Sequence, residues 1–452
     1  MIGAPEEAGY KTPGAPAGTP SNRIIKIGVL GDLVDITGEG AYQGTYLAVS
    51  QINTAGGIDI GGDDYYFGVI AENTYEAEPF LDVTKGTLAA EKMMTQNKPD
   101  FVIGGFRTEA IMTYREVVIA EEIILINTGA ATGSYCASVG TDYAKYKYCF
   151  RTMPINSSML AKEIAQFYAL ALAPAMEAAT GLNITKVGII REDLEWTVPM
   201  DAILKGLYIG YGYLGLNNNP WKNFTIVDDI AFPITATSTD FTTYLNRMQL
   251  AGAQIVCPII SAQGGIKMMT QYAQLHPKYM IAGIDVMSQL GDDPLDVTGY
   301  WNETNGNCNY EIIMQTVTRT NKTSKTIAMW DAYRDMWNMD PLYTAAGSHG
   351  TVYLLKDAIT AAQSIDSDAI ITELEKVTKA NPTEGASGNT AFNSNHDLIE
   401  GFDPVTEKIY GVTLWVQWQT GGTKSVVTSN GVIYPEWIVD ADIQIPSWGI
   451  NP

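Results

Sequence analysis

The chain has 452 residues, of which 46% are apolar and 17% charged, a composition typical of a globular protein long enough for two or three domains. Acidic residues outnumber basic ones by 50 to 28, and the formal net charge of −22 argues against nucleic acid or an anionic membrane surface as a partner. No apolar run reaches the roughly 18 residues that a transmembrane helix needs.

The first 23 residues are rich in Pro, Ala, Gly and Thr and lack hydrophobic periodicity. We predict that residues 1–23 form a flexible tether, and that this is the chain's only association with a membrane. No signal peptide is visible, and an intact cytosolic start looks the same here as a mature chain without its leader. Asn-x-Ser/Thr sequons suggest an exported glycoprotein, with candidate sites at Asn156, Asn183, Asn223, Asn302 and Asn321.

The four cysteines form no CxxC pair. Cys136 and Cys149 bracket a short Tyr-rich loop, where they are either a disulfide of an exported protein or two unpaired thiols; we favour the disulfide. Cys257 lies inside an apolar strand and is predicted to be a small buried hydrophobe, whereas Cys308 has no evident partner.

The first part of the chain alternates short apolar runs with helical patterns. Strands are predicted at 24–30 and 66–71, a helix at 84–96, and a further strand–helix–strand unit within 100–132. A Gly-rich loop, GDLVDITGEGAYQG, precedes the first helix. This β-α-β-α-β-α-β order predicts a doubly wound parallel sheet.

The same pattern restarts after Met153. Strands are predicted at 186–190, 224–230, 254–260 and 279–283, between helices at roughly 159–180, 200–213, 241–251 and 265–275. Residues 325–380 are rich in helical patterns, and the tail from Ile409 carries two strand patterns. We therefore predict an α/β fold with two doubly wound, Rossmann-like lobes in series.

The stretch from Asp100 to Thr132 contains the most informative polar residues. It reads as two buried strands joined by a helix, which places the polar ends of both strands on the same edge of one sheet. Open α/β sheets bind their ligands at that edge. We expect Thr108, Ala130 and Thr132 to hold the polar end of a small molecule there.

Motifs of catalysis or metal binding are mostly absent, since the sequence has no HExxH, GxSxG, P-loop or CxxC motif. Ser348 and His349 are adjacent, and neighbouring residues on a helix point apart and cannot form a nucleophile–base pair. We predict neither an enzyme nor a bound cofactor or metal.

The residues suit an α-amino acid better. Its carboxylate needs hydroxyl and N–H donors near a helix N-terminus, and Thr108 and Thr132 are placed to supply them. Its ammonium needs a carboxylate, and Asp285 follows a strand of the second sheet, although a turn or capping Asp is a competing interpretation. Tyr42 and Trp196 could form an aromatic wall, and each alone could equally be surface packing.

Several segments in order resemble the type I periplasmic binding proteins, and among them the branched-chain amino acid (Leu/Ile/Val-type) substrate-binding proteins of ABC importers. The resemblance covers roughly residues 24–400. The matching segments are IKIGVLGDL at 26–34, GAYQGTYLAVSQINTAGGI at 40–58, PDFVIGGFRTEA at 99–110, EEIILINTGAAT at 121–132, YCFRTMP at 148–154, KVGIIREDLEW at 186–196 and TDFTTYLNRMQLAGAQIV at 239–256.

The resemblance implies roles for individual residues. The family's carboxylate-binding positions fall on Thr108, Ala130 and Thr132, and its ammonium-binding acid falls on Asp285. Tyr42 matches the aromatic of the first loop. Trp196 and Ser261 stand where Tyr is common, and Arg107 and Glu109 flank the carboxylate site, so a general amino acid site is better supported than a Leu/Ile/Val preference.

The resemblance also implies two lobes, 24–152 with 317–396 and 153–316 with 397–452, joined by three crossovers around a ligand cleft. Hinge closure would bury the ligand and create the shape that an ABC transporter permease recognises outside the cytoplasm. Two other functions stay open: the ligand-binding domain of a membrane signalling receptor, and a surface-layer or filament subunit that reuses the fold.

Overall fold

The computed structural model describes residues 9–208, 222–261, 264–290, 299–428 and 433–452. The chain divides into two compact units, which we call unit 1 (Met1–Ile155 and Thr316–Gly411) and unit 2 (Asn156–Gln315 and Val412–Pro452).

The described strands follow one another along the chain as β1 Ile24–Gly31, β2 Ile58–Ile60, β3 Asp63–Asn73, β4 Phe101–Gly104, β5 Ile124–Asn127, β6 Cys149–Arg151, β7 Lys186–Glu192, β8 Thr225–Phe232, β9 Ile255–Ile260, β10 Met280–Asp285, β11 Ile312–Gln315, β12 Thr383–Gly385, β13 Gly388–Thr390, β14 Gly401–Asp403, β15 Lys408–Tyr410, β16 Leu414–Trp418 and β17 Lys424–Val426. The described α-helices are α1 Ile36–Thr54, α2 Val83–Lys92, α3 Thr108–Ala120, α4 Ser134–Thr141, α5 Tyr143–Tyr146, α6 Ser157–Phe167, α7 Ala173–Thr180, α8 Thr197–Tyr208, α9 Ser238–Leu250, α10 Gly264–Leu275, α11 Tyr300–Glu303, α12 Thr326–Trp337, α13 Tyr343–Ala362 and α14 Ser367–Leu374.

Unit 1 is built on a six-stranded sheet with the order β2-β3-β1-β4-β5-β6. All neighbours in it are parallel except the β2–β3 hairpin. Strands β4 and β5 are buried along their whole length, as the apolar run in each predicts. Since Gly104 pairs with Asn127 at their last residues, both strands end at the same level of the sheet edge.

Unit 2 has a seven-stranded sheet with the order β17-β16-β11-β10-β9-β7-β8. The strands from β7 to β11 pair in parallel, and β16 and β17 extend the sheet with antiparallel pairs. The tail of the chain therefore completes this sheet. The predicted fold class, two doubly wound α/β lobes, is confirmed.

The predicted tether is wrong for residues 9–23, while residues 1–8 lie outside the described part. The backbone of Lys11 pairs with Val69 of β3 through two N–H to C=O bonds of 2.9 Å. The Asn53 side chain donates to Pro13 O at 2.9 Å, and the Tyr10 hydroxyl donates to Asn97 O at 3.1 Å. These bonds hold the segment against unit 1.

The predicted disulfide is also wrong, because Cys136 and Cys149 are free, buried thiols, as are Cys257 and Cys308. The Tyr-rich segment is helical rather than a loop, and the Cys136 Sγ donates to His396 O at 3.6 Å. Burial raises the pKa of Cys149 to about 12, so its thiol stays protonated at neutral pH.

The crossovers between the units lie at 155/156, 315/316 and 411/412. The first two are near the expected 152 and 316, whereas the third expectation, 396, is wrong. The β14–β15 hairpin belongs to unit 1, where Ile409 O accepts from Asn389 Nδ2 at 3.1 Å and the Tyr410 hydroxyl donates to Lys379 O at 3.3 Å. No helix among the described residues is long and apolar enough to cross a membrane.

Candidate functional site

The predicted carboxylate-binding residues of unit 1 follow the neighbouring strands β4 and β5 at the edge where both strands end. Thr108 is the first residue of α3, just after β4, and Thr132 follows β5. Both are buried, with 4% and 5% of their surfaces exposed. Their hydroxyls therefore stand where neighbouring parallel strands end, which is the ligand-binding edge of such sheets.

A buried carboxyl, Glu76, shapes the turn that precedes α3. Its Oε2 accepts from the backbone N–H groups of Phe106 and Arg107 at 3.1 and 2.8 Å, and its Oε1 accepts from the Thr74 hydroxyl at 2.8 Å. Burial raises the pKa of Glu76 to about 7. Both oxygens of the Glu76 carboxyl therefore accept hydrogen bonds from unit 1 itself. Glu76 was not identified from the sequence.

The turn after β5 is organised by Asn127. Its Oδ1 accepts from the N–H groups of Gly129 and Ala130 at 3.1 and 2.8 Å, and its Nδ2 donates to Ala130 O at 2.8 Å. Arg151 Nη1 also donates to Ala130 O, at 3.2 Å. Both backbone groups of Ala130 are thus already bonded within unit 1, so here Ala130 shapes the turn.

Arg151, the last residue of the neighbouring strand β6, holds this turn. Besides Ala130 it bonds Thr132 O, at 2.9 Å from Nη1. Its Nε and Nη2 donate to the two carboxylate oxygens of Asp397 at 2.7 and 2.5 Å. The guanidinium is fully buried, so the position of the Thr132 turn depends on a desolvated ion pair.

Among the described residues, no acceptor takes the Thr132 hydroxyl proton. Its Oγ1 accepts from Ser134 N at 3.3 Å, which leaves the O–H able to donate elsewhere. Tyr42 is not in a loop as expected, because Asp35 caps α1 through a 3.0 Å bond from Thr37 N and the helix already includes Tyr42. Burial raises the pKa of Tyr42 to about 12, so its phenol remains a neutral donor.

The guanidinium of Arg107 has no hydrogen-bond partner among the described residues. Its Nε, Nη1 and Nη2 are all buried, and the adjacent Thr108 Oγ1 is buried and unpartnered as well. Only 3% of the Arg107 surface is exposed. The sequence predicts that Arg107 lies beside the carboxylate site but predicts no role for it. A sequence does not show whether a charged side chain will be paired in the folded protein.

The predicted residues of unit 2 lie at the ends of three neighbouring strands of its own sheet or just after them. Trp196 follows β7, Ser261 follows β9, and Asp285 ends β10. Ser261 is bonded inside the unit, where its N–H and hydroxyl donate to Glu192 Oε2 at 3.0 and 2.5 Å. Trp196 is buried, and its Nε1 has no partner in the described part of the chain.

Asp285 is fully buried in a polar network. Its Oδ2 accepts from the Tyr300 hydroxyl at 2.9 Å, and Glu311 Oε2 accepts from the Ser288 hydroxyl at 2.9 Å. Burial raises the pKa of Asp285 to about 7, and burial together with the Asp285 charge raises the pKa of Glu311 well above its usual value. Each carboxyl, when ionised, disfavours ionisation of the other, so the pair retains at least one proton at neutral pH.

This carboxyl pair gives the protein a pH-dependent stability. Both groups ionise near pH 4 in the unfolded chain and at higher pH in the folded one, so folding takes up protons between about pH 4 and 7. The stabilisation is complete below pH 4 and is lost as the pH rises through about 7. We expect Glu311→Gln to reduce this loss, measured as the unfolding free energy in urea at pH 5 and pH 7. The exposed Glu303→Gln should leave it unchanged, and equal pH slopes for all three proteins would contradict the assignment.

The described residues contain no group of three or more His, Cys, Asp or Glu side chains arranged to hold a metal ion. Among the sequons, Asn183, Asn223 and Asn321 are exposed, whereas Asn156 and Asn302 are half-buried. Asn156 also caps α6 by accepting from Ser158 N at 2.9 Å. Glycosylation remains a prediction, better suited to the exposed three.

Comparison with known proteins identifies the family of the chain. A sequence model described as periplasmic binding protein matches residues 24–403. No curated protein sequence matches the chain.

Solved structures match its fold. The branched-chain amino acid transporter substrate-binding protein LivJ from Streptococcus pneumoniae, in complex with isoleucine, is 19% identical with a TM-score of 0.67, over 88% of this chain and 97% of that one. A putative branched-chain amino acid ABC transporter protein from Silicibacter pomeroyi is 13% identical with a TM-score of 0.69, over 94% and 99%. A solute-binding protein of an ABC transporter from R. palustris, in complex with benzoate, is 14% identical with a TM-score of 0.65, over 91% and 97%.

Proposed function

The chain belongs to the periplasmic binding protein family, and on that premise we propose that it is the extracytoplasmic solute-binding protein of an ABC importer. It captures an amino acid or a related small carboxylate or amide and presents it to a membrane permease. Binding and release, without chemical change of the ligand, are its whole activity.

The observation that carries the proposal is the group of buried hydroxyl donors at the edge of the unit 1 sheet. Thr108 begins a 13-residue helix, whose N-terminus favours an anion, and Thr132 has a hydroxyl proton to donate. Such donors suit a carboxylate. The isoleucine and benzoate in the complexes of two similarly folded proteins both carry that group.

The remaining assignments are part of the same proposal. Asp285, the more acidic carboxyl of its pair with Glu311, binds the ligand's ammonium group when the ligand has one. Trp196, Ser261 and Tyr42 contact the rest of the ligand. Closure of the two units buries it, because removal of water strengthens charge-assisted hydrogen bonds.

A thermal-shift screen of amino acids, small carboxylates and amides tests the function, since a ligand that binds only the native state raises the melting temperature. For a compound that binds, we expect Thr108→Val and Thr132→Val each to weaken binding by about 1–3 kcal/mol, because each removes one buried donor and keeps the side-chain shape. Calorimetric titration measures the loss.

Thr360→Val is the matched control, because Thr360 is an exposed threonine of unit 1 whose hydroxyl donates to Lys356 O at 2.8 Å. It should bind like the wild type. The proposal fails if no compound of these classes binds, and the site assignment fails if both site variants retain wild-type affinity.

A further inference from the structure

The Arg107 guanidinium is buried close to the proposed carboxylate site, and its charge bears on the charge of the ligand. It resides at the N-terminus of α3, immediately before Thr108, with 3% of its surface exposed. None of its three side-chain nitrogens has a hydrogen-bond partner among the described residues, and neither does the Thr108 hydroxyl. Two buried donor groups that are adjacent in sequence, at the start of α3, therefore have no hydrogen-bond partner among the described residues.

An arginine in this state is unusual for energetic reasons. Buried charges in proteins are paired, because an isolated one loses its hydration without compensation. The other buried arginines of unit 1 follow the rule: Arg151 is bonded to Asp397, and Arg115 to Glu116 and to Ser138. Arg107 differs from both.

The buried acid Glu76, which is bonded to the same turn, does not compensate Arg107. Glu76 accepts from the backbone N–H of Arg107, not from its guanidinium, and its two carboxyl oxygens are occupied by Phe106, Arg107 and Thr74. Burial, not a nearby cation, dominates the pKa of Glu76, which is raised to about 7. The guanidinium lies 5.5 Å from the centroid of the Phe106 ring, a cation–π contact that adds no negative charge, and it has no hydrogen-bonded anionic partner among the described residues.

We propose that Arg107 is a specificity-determining residue of the ligand site and that the ligand is an organic carboxylate with a net negative charge. The planar guanidinium binds a carboxylate through two parallel hydrogen bonds, and the Thr108 hydroxyl and the start of α3 add donors for the same anion. A zwitterion such as leucine has no net charge, so it leaves the positive charge of Arg107 uncompensated. An acidic amino acid or a simple carboxylic acid compensates it. This inference rests on the proposed function and narrows its ligand class.

The test uses the full chain and charge-matched ligand pairs. The probes are glutamate, aspartate and benzoate, their neutral counterparts glutamine, asparagine and benzamide, and leucine as a zwitterion. We expect at least one anion to raise the melting temperature while its neutral counterpart does not. Comparison of glutamate and aspartate with benzoate then shows whether the ligand is an acidic amino acid or a simple carboxylic acid.

Arg107→Met should weaken binding of that anion about tenfold or more, and Arg107→Lys, which keeps the charge but not the planar fork, should weaken it less. Without ligand, Arg107→Met should melt higher than the wild type, by about 2 °C or more, because an unpaired buried charge is gone. A merely structural arginine would give the opposite shift. Arg319→Met, at a half-exposed arginine of unit 1, is the charge control: it should leave anion binding unchanged and should not raise the melting temperature, because its exposed ion pair with Asp331 is lost.

Equal binding of leucine by the wild type and Arg107→Met, with no anion preferred, overturns the inference and leaves the proposed function standing. If none of the compounds binds the wild type, the proposed function fails. The inference about Arg107 is then tested by the melting temperatures of the two proteins without ligand. An Arg107→Met protein that melts no higher than the wild type then overturns it too.

Discussion

Replacing Asp397 with alanine is expected to lower the free energy of unfolding by about 3–5 kcal/mol. The substitution leaves Arg151 fully buried without its partner, because Asp397 receives the Nε and Nη2 groups at 2.7 and 2.5 Å. The penalty comes from the stranded charge rather than from the bonds themselves. Urea unfolding at neutral pH measures it.

The protein contains a matched control for this prediction. Arg319 donates to Asp331 through the same two nitrogens, at 2.7 and 2.9 Å, but with 49% and 45% of the two side chains exposed. Asp331→Ala should therefore cost below about 1 kcal/mol. Equal losses for the two variants would contradict the claim that burial sets the difference.

The same ion pair links stability to the site. Arg151 also donates to Thr132 O at 2.9 Å, so a displaced guanidinium releases the turn that carries the Thr132 hydroxyl. We expect Asp397→Ala to weaken ligand binding as well, although Asp397 itself belongs to the scaffold of the turn. Ligand affinity measured on the folded variant separates this effect from unfolding.

Local patterns explain how much of the fold could be predicted. The apolar runs of β4 and β5 and the helix between them are contiguous, so their order placed Thr108 and Thr132 on one sheet edge. Regular repetition predicted the second sheet in the same way, although the two strands at one side of it, β16 and the edge strand β17, come from the tail after the third crossover.

What could not be predicted depends on partners that are distant in sequence. Asp397 is 246 positions from Arg151, and no pattern near either residue marks the pair. The N-terminal segment has the composition of a linker, yet it is held by Val69 and Asn53. Two cysteines near each other in sequence suggested a bridge, whereas helices α4 and α5 occupy the segment between them. The unpartnered state of Arg107 is likewise visible only in three dimensions.

Gly104→Ala is expected to destabilise unit 1 by about 2–6 kcal/mol, through two separate effects. Gly104 has a φ of +142°, a region that residues with a side chain rarely adopt. A Cβ at this position would lie 1.9 Å from Leu30 O, a backbone atom of the neighbouring strand β1 that cannot turn away. Thermal and urea unfolding of the variant measure the sum.

Gly401→Ala separates the two effects. Gly401, also in unit 1, has a similar positive φ of +125°, but a Cβ there meets nothing within 4 Å. It should cost only the backbone term, about 1–3 kcal/mol. A loss at Gly104 no larger than at Gly401 would show that β1 and β4 can separate to admit a methyl group. A larger one indicates that this glycine sets how closely β4 packs on β1, and hence where Arg107 and Thr108 begin α3.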